Sequence, residues 1–553
     1  MVTSICLIFV HSNFEEVINH IQPVFSHHYL PFADTGYCSP IIADFLAARP
    51  PLRPFYAYTP VDPDFGRAIA EKSAQPLRRD LLAEALYQQY GKIEMKEEVR
   101  ANIGLLQASN TFTVCTAHQP NIFTGYLYFV YKILQTIGLS RELQMKHPGH
   151  HFVPVYYMGS EDADLDELGS INLNGKKLTW NTAQTGAVGR MDTKGLEALI
   201  DQVADSIGYA PFAGELLEML RKAYLGHSNV QEATLSLVND LFGQYGLVVL
   251  IPDSPLFKQQ LIPVMEEELW QQSSAGIVGR TIGKLAENYK VQANPREINL
   301  FYLKDDQRER IVRDGELWKI LHTSLSFNGE QLKKELYEHP ERFSPNVILR
   351  GILQETILPN VAFIGGGGEV AYWLELKDLF HHHKVPYPVI LLRNSFLWIK
   401  QEQQQRLAKL GIGVEALFED TELLVNRFVF ERTNAALVLR DEYAAVEKLF
   451  NELEEKARSI DITLVASVNA ERSRAVKSIG KLEHKFLRAE KRKFAWQTDQ
   501  IRALKEQLFP AGSLQERKEN FMPYYAEYGP AYFEHLLKAL RPVTDQFCVI
   551  REC

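Results

Sequence analysis

TFTVCTAHQPNIFTG, residues 111–125, joins a β-forming apolar run to the beginning of a helix. The run stops at Pro120 and Asn121, and helix-like spacing begins at Thr124 and Gly125. A buried parallel strand that turns directly into a helix is the first unit of a nucleotide-binding α/β domain. The free N–H groups at the beginning of such a helix would face an anion bound beyond the carboxyl end of the strand.

Four more strand-like apolar runs follow along the chain, with helical patterns between them. They cover residues 151–159, 246–251, 360–364 and 388–392. Five strands separated by helices predict a doubly wound parallel sheet of the α/β class. Residues 170–241 and 283–345 have a different pattern, in which a predicted hairpin accompanies amphipathic helices, and we interpret both stretches as insertions.

The C-terminal part is highly charged and helix-forming. Two long helices are predicted at 442–460 and 465–508, with heptad-like apolar positions at Ile479, Leu482, Phe486 and Ala489. This spacing predicts a helical hairpin or coiled coil of the kind that mediates self-association. The predicted domains are therefore a core at 1–430 with both insertions, a coiled coil at 431–510, and a helical segment at 511–553 that packs on the core.

Composition excludes several classes of protein. The 553 residues are 46% hydrophobic and 23% charged with a net charge of −9, which fits a soluble globular protein and disfavours a nucleic-acid partner. Five scattered cysteines without a CxxC pair fit a reduced, cytoplasmic chain. The apolar start, 2–10, lacks a signal-peptide pattern and is too short to span a membrane. We expect a first strand there, or a translation start placed too far upstream.

An acidic cluster follows the second strand. Glu161, Asp162 and Asp164 lie at the carboxyl end of a predicted parallel strand, where open α/β sheets bind ligands. Carboxylates at this place suit an amine, a sugar hydroxyl or Mg²⁺. The alternative is a solvated loop without a ligand.

Three further features follow predicted core strands. Gly365, Gly366, Gly367 and Gly368 would present backbone N–H groups to phosphate or carboxylate, or form only a loop. Arg393 would clamp an anion or form a surface ion pair. The alternative for Asn121, Thr124 and Gly125 is a helix cap with a close-packing glycine.

The histidine clusters do not predict a metal site. His147, His150 and His151, and likewise His381, His382 and His383, lack the spacing of known metal motifs. Consecutive histidines at a helix end are expected to point in different directions. We therefore assign no residue as a metal ligand. Cys115, inside a predicted strand, is expected in the core.

Five motifs together resemble the bacillithiol biosynthesis BshC family over nearly the whole chain. In order they are TAHQPNIFTGYLYFVYKI, PVYYMGSEDADLDEL, FIGGGGEVAYWLELKDLF, PVILLRNSFLWI and SLQERKENF. The resemblance implies a Rossmann-like core with two connecting-peptide insertions, similar to class I aminoacyl-tRNA synthetases and nucleotidyltransferases. It also implies a coiled coil that forms a homodimer.

The resemblance implies a cytoplasmic ligase that joins the carboxylate of cysteine to the amine of glucosaminyl-malate. ATP is the expected activating nucleotide and Mg²⁺ a candidate ion, with no nucleic-acid or membrane partner. Phosphate or carboxylate oxygens would be held by Asn121, Thr124, Gly125, Gly365, Gly366, Gly367 and Gly368. Glu369 and Tyr372 are further candidates for binding substrate or nucleotide. Arg393 would pair with a malate carboxylate or a phosphate. Glu161, Asp162 and Asp164 would bind the sugar or a metal, and one of them would take the amine proton.

The sequence departs from the related patterns at two places. Phe123 and Tyr126 stand where the synthetase HxGH motif has histidines, and no KMSKS-like loop is found. Ala163 replaces a histidine that many relatives have between Asp162 and Asp164. A proton-transfer role for that histidine is therefore either dispensable or supplied elsewhere, with His118 as the nearest candidate. The alternative function is a nucleotide-binding accessory or scaffold protein without turnover. A tRNA-binding relative, which would need a basic stripe along 477–493, is disfavoured by the acidic charge.

Overall fold

The computed structural model describes residues 24–433 and 437–553. The strand expected at 2–10 lies outside these described residues. The chain forms two compact units. One comprises Phe25–Leu397 with Leu514–Ile550, and the other consists mainly of Trp398–Ser513.

The strands are β1 (Phe25–Pro31), β2 (Thr111–His118), β3 (His151–Met158), β4 (Ser170–Leu173), β5 (Lys176–Thr179), β6 (Val248–Leu250), β7 (Leu300–Lys304), β8 (Gln307–Asp314), β9 (Leu317–Ile320), β10 (Ser326–Phe327), β11 (Phe343–Pro345), β12 (Asn360–Gly365), β13 (Val389–Leu392), β14 (Phe396–Ile399) and β15 (Gln546–Glu552).

The helices of the first unit are α1 (Pro40–Leu46), α2 (Phe65–Ser73), α3 (Arg79–Tyr90), α4 (Glu97–Leu105), α5 (Leu127–Lys146), α6 (Leu165–Leu168), α7 (Leu196–Ile207), α8 (Ala213–Gly226), α9 (Val230–Phe242), α10 (Pro255–Lys258), α11 (Ile262–Gln271), α12 (Ser273–Leu285), α13 (Gly329–Glu338), α14 (Val347–Ile357), α15 (Gly367–Leu374) and α16 (Lys377–His382). The second unit contains α17 (Gln401–Leu410), α18 (Thr421–Arg432), α19 (Arg440–Ile460), α20 (Leu464–Lys493) and α21 (Ala495–Leu508), and the chain then returns to the first unit with α22 (Met522–Tyr528) and α23 (Ala531–Ala539).

The predicted parallel sheet is confirmed. Its five strands lie in the order β13-β12-β2-β3-β6, and every neighbouring pair is parallel. From β2 the chain first builds outward through β3 and β6, and then it returns to the other side of β2 with β12 and β13. The point between β2 and β12 is therefore the topological switch point, where such sheets bind ligands at the carboxyl ends of their strands.

The sheet is buried on both faces, which explains the continuous apolar runs. Phe112 and Val114 of β2 are fully buried and belong to a core cluster with Val361 of β12 and Leu391 of β13. The hydroxyl of Thr116 donates to the carbonyl of Ile364 at 2.8 Å, so a polar side chain inside the sheet is also satisfied.

Both predicted hairpins are present. β4 and β5 pair across Asn174 and Gly175, whose positive φ values of 49° and 78° suit a type I′ turn. β7 and β8 pair in the second insertion and belong to a five-stranded antiparallel sheet of order β10-β9-β8-β7-β11. The tail, predicted as helical, does contain α22 and α23. It ends in β15, a strand beside β1 that the prediction missed.

The second unit contains the predicted helical hairpin, in which α19 and α20 pack against each other. The prediction of one continuous helix over 465–508 is wrong, because the chain leaves helical geometry at Phe494, between α20 and α21. Leu482 and Phe486 keep 45% and 44% of their surface exposed, so the hairpin does not cover these heptad positions. Over the described ranges, helices with the length and apolarity of a membrane span are absent.

Candidate functional site

A cavity of about 810 Å³ lies at the switch point of the parallel sheet. Its walls come from the residues that follow β2, β3, β12 and β13, together with the second insertion and the C-terminal segment. We expected Asn121, Asp162, Gly367 and Arg393 to converge on one crevice. The last three line this cavity, whereas Asn121 does not.

Most of the sequence-predicted site residues line the cavity. They are His118, Asp162, Asp164, Gly366, Gly367, Gly368, Glu369, Tyr372 and Arg393. Five others lie elsewhere: Asn121, Thr124, Gly125, Glu161 and Gly365. The cavity is also lined by residues that we did not predict, among them Gln119, Tyr128, Lys132, Phe301, Arg308, Asn346, Arg350 and Arg517.

Asp162 is held by a group of hydrogen-bond donors. Arg350 contacts both carboxylate oxygens, with Nη1 at 2.9 Å from Oδ2, and the amide of Gln119 donates to Oδ2 at 2.9 Å. Arg308 adds a second cation at 3.7 Å from Oδ1. Burial alone would raise the pKa of Asp162, but Arg350 and the other donors lower it below its usual value. This acid is therefore a charged anchor and a poor proton acceptor.

Arg308 brings the second insertion into the site. Its guanidinium lies 4.0 Å from the ring centre of Phe301, and its Nε donates to Ser344 Oγ at 3.2 Å. The side chain is 8% exposed. Because β8 carries Arg308 and α14 carries Arg350, an insertion and the core together build one cationic wall of the cavity.

The opposite wall contains a buried lysine. Lys132 on α5 forms an ion pair with Glu369, and its ammonium also donates to the carbonyl of Ala117 at 3.0 Å. Glu369 accepts the N–H of Gly366 at 2.8 Å and so caps α15. Burial lowers the pKa of Lys132, and Glu369 opposes this shift.

Arg393 leads from β13 into the same wall. Its Nη2 lies 2.5 Å from Glu516 Oε1, which also accepts the hydroxyl of Ser395 at 3.0 Å. The guanidinium lies 5.4 Å from the ring centre of Tyr128. Burial would lower the pKa of Arg393, but Glu516 raises it overall, so this arginine stays charged. The surface-pair alternative for Arg393 does not apply, because the residue is only 6% exposed.

His118 ends β2 and lines the cavity between these two walls. Burial and the nearby charges of Lys132 and Arg393 lower the pKa of His118 well below its usual range. Its Nε2 has no hydrogen-bond partner among the described residues. His118 is therefore a neutral imidazole and a weak base, with a ring nitrogen that is available to a hydrogen-bond partner.

Glu161 and Asp164, which flank Asp162, have different surroundings. Glu161 is 3% exposed, and its Oε1 accepts from Lys258 at 2.5 Å in a buried ion pair outside the cavity. Asp164 is an exposed lining residue without an ion pair in the described ranges. Of the three acids predicted for the site, Asp164 thus has the free carboxylate.

The loop at 121–125 is buried and strained. Phe123, Thr124 and Gly125 all have positive φ values, of 48°, 67° and 70°. Asn520 donates to the carbonyl of Phe123 at 3.0 Å and to that of Gly125 at 2.5 Å. The side chain of Asn121 has no hydrogen-bond partner within the described part of the chain. Gly125 therefore meets a requirement of backbone conformation, and the 121–125 loop does not line the cavity.

Gly365 also has a packing role. A Cβ there would lie 2.9 Å from Phe363 Cε1 and 3.0 Å from Glu369 Cβ. In contrast, a Cβ on Gly366 would be 3.5 Å from Arg393 Nε and from Glu369 Oε2, at the cavity wall. The glycine run therefore separates into one packing position and three lining positions.

Two histidines share a carboxylate outside the cavity. Glu267 Oε1 lies 2.5 Å from His382 Nε2, and Glu267 Oε2 lies 3.9 Å from His383 Nδ1. The expectation that consecutive histidines point in different directions is wrong for this pair. One ligand atom from each of the three residues lies within 4.8 Å of the others, so these side chains form a three-ligand group that could hold a metal ion.

The cavity residues that the sequence analysis did not predict differ in how clearly the sequence indicates them. Lys132 is a single lysine inside an apolar helical run, and Arg517 lies within a quoted motif, so both could have been found. Arg308 and Arg350 lie far from any core strand end in the sequence. Their place in the site depends on how the second insertion folds back.

The lining carries five basic side chains, Lys132, Arg308, Arg350, Arg393 and Arg517, against the three carboxylates of Asp162, Asp164 and Glu369. The cavity is thus electropositive and suits a ligand with several negative charges. Its volume lies within the range of about 300–1,000 Å³ that small-molecule sites occupy.

Two family models together cover almost all of the chain. Residues 25–394 match "Bacillithiol biosynthesis BshC, N-terminal Rossmann-like domain", and residues 396–552 match "Bacillithiol biosynthesis BshC, C-terminal coiled-coil domain". A relative from Flavobacterium psychrophilum is 40% identical over 525 residues, which is 94% of this chain and 99% of that protein. One from Flavobacterium johnsoniae is 40% identical over 523 residues, again 94% of this chain and 99% of the relative. One from Christiangramia forsetii is 39% identical over 530 residues, or 94% and 98%. All three relatives are named "Putative cysteine ligase BshC".

Proposed function

We propose a function from the premise that this chain belongs to the bacillithiol biosynthesis BshC family. The protein is a cysteine ligase that forms an amide bond between the carboxylate of cysteine and the amine of glucosaminyl-malate. ATP activates the carboxylate. One observation carries the proposal: a single electropositive cavity at the switch point of a Rossmann-like sheet.

Activation is required because a free carboxylate does not form an amide at neutral pH. In the proposed reaction a cysteine carboxylate oxygen bonds to a phosphorus of ATP and a phosphate-bearing group leaves. The amine nitrogen then bonds to the activated carbonyl carbon, and the second phosphate-bearing group leaves with the carboxylate oxygen. The five cationic side chains stabilise the negative charge of the nucleotide and of the malate group.

The amine must lose a proton when it attacks. We assign this proton to His118 on geometry, because its imidazole lines the cavity and its Nε2 has no hydrogen-bond partner among the described residues. Asp162 instead orients Arg350 and Arg308, which are the groups placed to bind carboxylate or phosphate. Glu161 has a structural role in this proposal, because Lys258 neutralises it outside the cavity.

Mg²⁺ would bind at Asp164. Magnesium in nucleotide sites uses one or two carboxylates together with phosphate oxygens, and Asp164 is an exposed carboxylate at the cavity. When bound, the ion would neutralise charge on the phosphates. We further propose a cytoplasmic homodimer that forms through α19 and α20, because Leu482 and Phe486 are exposed apolar positions of this hairpin.

The direct test incubates the purified full chain with cysteine, glucosaminyl-malate and ATP, and follows the thiol product and ATP by mass spectrometry. We expect a product with the mass of the amide, and none when ATP is omitted. ATP consumption without an amide would overturn the amide assignment. Binding of ATP with no turnover under any substrate combination would instead indicate the accessory, nucleotide-binding alternative.

A matched pair of variants tests whether the cavity performs this reaction. Arg308→Met removes a lining cation, and we expect kcat/KM to fall about tenfold or more, the loss of one charged hydrogen bond. Arg313→Met changes an exposed arginine on the same strand, outside the cavity, and should leave kcat/KM within twofold. Equal activity of the two variants would place the reaction elsewhere.

A further inference from the structure

A second, smaller cavity of about 240 Å³ lies behind the glycine turn. Phe32, Ile42, Ala371 and Leu514 form apolar parts of its wall. This volume is below the range of about 300–1,000 Å³ for drug-sized ligands, so the cavity suits a molecule smaller than a nucleotide or a sugar conjugate. The reaction proposed above assigns no ligand to this cavity.

The smaller cavity is lined by a carboxylate with a free oxygen. Glu516 is fully buried, and its Oε1 contacts Arg393 and Ser395. Its Oε2 has no hydrogen-bond partner among the residues that the structure describes. A buried acceptor without a partner is costly, and a ligand that brings a donor removes this cost. An ammonium group is the donor that also suits the negative charge.

The two cavities share a boundary of donors. Gly367, Gly368, Arg393 and Arg517 line both of them. Gly367 and Gly368 lie in the first turn of α15, whose N–H groups have no partner within the helix. A helix N-terminus next to two arginines favours a carboxylate. The smaller cavity is therefore lined by a carboxylate, Glu516, as well as by the positive groups of Arg393 and Arg517.

We propose, on the basis of the ligase function above, that the smaller cavity is the pocket for cysteine. The ammonium binds Glu516 Oε2, and the carboxylate lies at the shared boundary near Gly367 and Arg393. The thiol side chain packs on the apolar wall. This placement brings the carboxylate to the edge of the larger cavity, where the nucleotide and the sugar amine would react with it.

The added methyl group of an alanine would point toward different neighbours at Gly366 and Gly367. A Cβ at Gly367 would be 3.5 Å from Ile42 Cγ1, in the wall of the smaller cavity. A Cβ at Gly366 would face Arg393 and Glu369 in the larger one. Gly279, exposed on α12 with nothing within 4 Å of its Cβ position, is a matched control outside both cavities.

Binding of radiolabelled cysteine to the full chain is measured by equilibrium dialysis without nucleotide. We expect Gly367→Ala to raise the Kd for cysteine at least tenfold, and Gly279→Ala to change it less than twofold. Equal cysteine binding by Gly367→Ala and the wild type would overturn the pocket. So would product formation by Gly367→Ala with an unchanged KM for cysteine. Saturable cysteine binding that Gly367→Ala abolishes, in a protein that makes no amide, would support the pocket and reject the proposed reaction.

The ammonium contact is tested with a ligand that lacks it. β-Mercaptopropionate has the thiol and carboxylate of cysteine without the ammonium. The wild type should bind cysteine about tenfold more tightly than β-mercaptopropionate, because a hydrogen bond to a charged group contributes about this much to affinity. Glu516→Gln should lose this preference while it still binds β-mercaptopropionate, which shows that the variant is folded. If Glu516→Gln keeps the wild-type preference for cysteine, Glu516 does not bind the ammonium and the proposed pocket is wrong.

Discussion

Two turns follow the two strands that flank the switch point, and they use similar residues for different purposes. The 121–125 loop follows β2 and contains a run of positive φ values that ends at Gly125. The turn at residues 366–368 follows β12 and enters α15 with Gly366 at an ordinary φ of −69°. The first turn is buried and lines neither cavity, whereas the second separates the two cavities. Glycine in the first turn meets a requirement of backbone conformation, whereas in the second turn it leaves space at the walls of the cavities.

The two turns also differ in which groups form hydrogen bonds with their backbone. The 121–125 loop is fixed from outside, because Asn520 donates to two of its carbonyls and Tyr224 accepts the N–H of Phe123 at 2.9 Å. At the 366–368 turn, Glu369 accepts the N–H of Gly366 and leaves the next N–H groups free of side-chain caps. A turn that binds a ligand must present its donors to a cavity, and of these two turns only the one at 366–368 lines the two cavities.

The largest expected effect is at the ligand-facing turn. Glu369→Gln removes the charge that balances Lys132, whose ammonium group is almost fully buried. We expect the free energy of unfolding at pH 7 to fall by about 3–4 kcal/mol, as for a broken buried ion pair. Urea denaturation followed by circular dichroism measures this loss.

The same variant has a defined pH dependence. Burial already lowers the pKa of Lys132 below 10.5 in the folded protein, and loss of Glu369 lowers it further. A lysine whose pKa is lowered on folding destabilises the folded state while it is protonated, and the cost disappears as the pH rises toward the unfolded value. The difference in unfolding free energy between wild type and variant should therefore shrink as the pH rises from 7 toward 10. A constant difference would show that Lys132 is not the cause.

A smaller loss is expected from the strained loop. Gly125 has φ +70° and ψ −125°, and a Cβ there would lie 2.9 Å from Asn121 Cβ. Gly125→Ala should lower the free energy of unfolding by about 2–3 kcal/mol, because such a conformation is essentially restricted to glycine. Gly366→Ala is the matched control at the other turn and should change it by less than about 0.5 kcal/mol. If Gly125→Ala were as stable as the wild type, the backbone conformation of the 121–125 loop would not require glycine.

The parallel sheet could be predicted because its signal is local. Each of its strands is a short apolar run that is buried on both faces, and the order of strands and helices along the chain restricts the topology. The same reasoning located Asp162, Gly367 and Arg393, since each directly follows a core strand. It overestimated Asn121, because position after a strand does not reveal whether the loop turns toward the cavity or into the core.

The remaining site residues depend on contacts that are distant in sequence. Arg350 contacts Asp162 although the two residues are 188 positions apart in the sequence. Glu516 and Arg393, which also contact each other, are 123 positions apart. The neighbouring acid Glu161 is likewise buried in an ion pair with Lys258 of α10, and α10 is distant from the acidic motif in the sequence. Such pairings follow from tertiary packing, and residue type and periodicity contain no signal for them.

The smallest expected effect tests whether the 121–125 loop is purely structural. Asn520→Ala removes the donor to the carbonyls of Phe123 and Gly125, so we expect the free energy of unfolding to fall by about 1–2 kcal/mol. Because none of these three residues lines a cavity, the Kd values for ATP and cysteine should stay within twofold of wild type at a temperature where both proteins are folded. Chemical denaturation and equilibrium dialysis give the two readouts. If the free energy of ligand binding fell as much as the free energy of unfolding, the 121–125 loop would contribute to binding, and the two turns would be parts of one site.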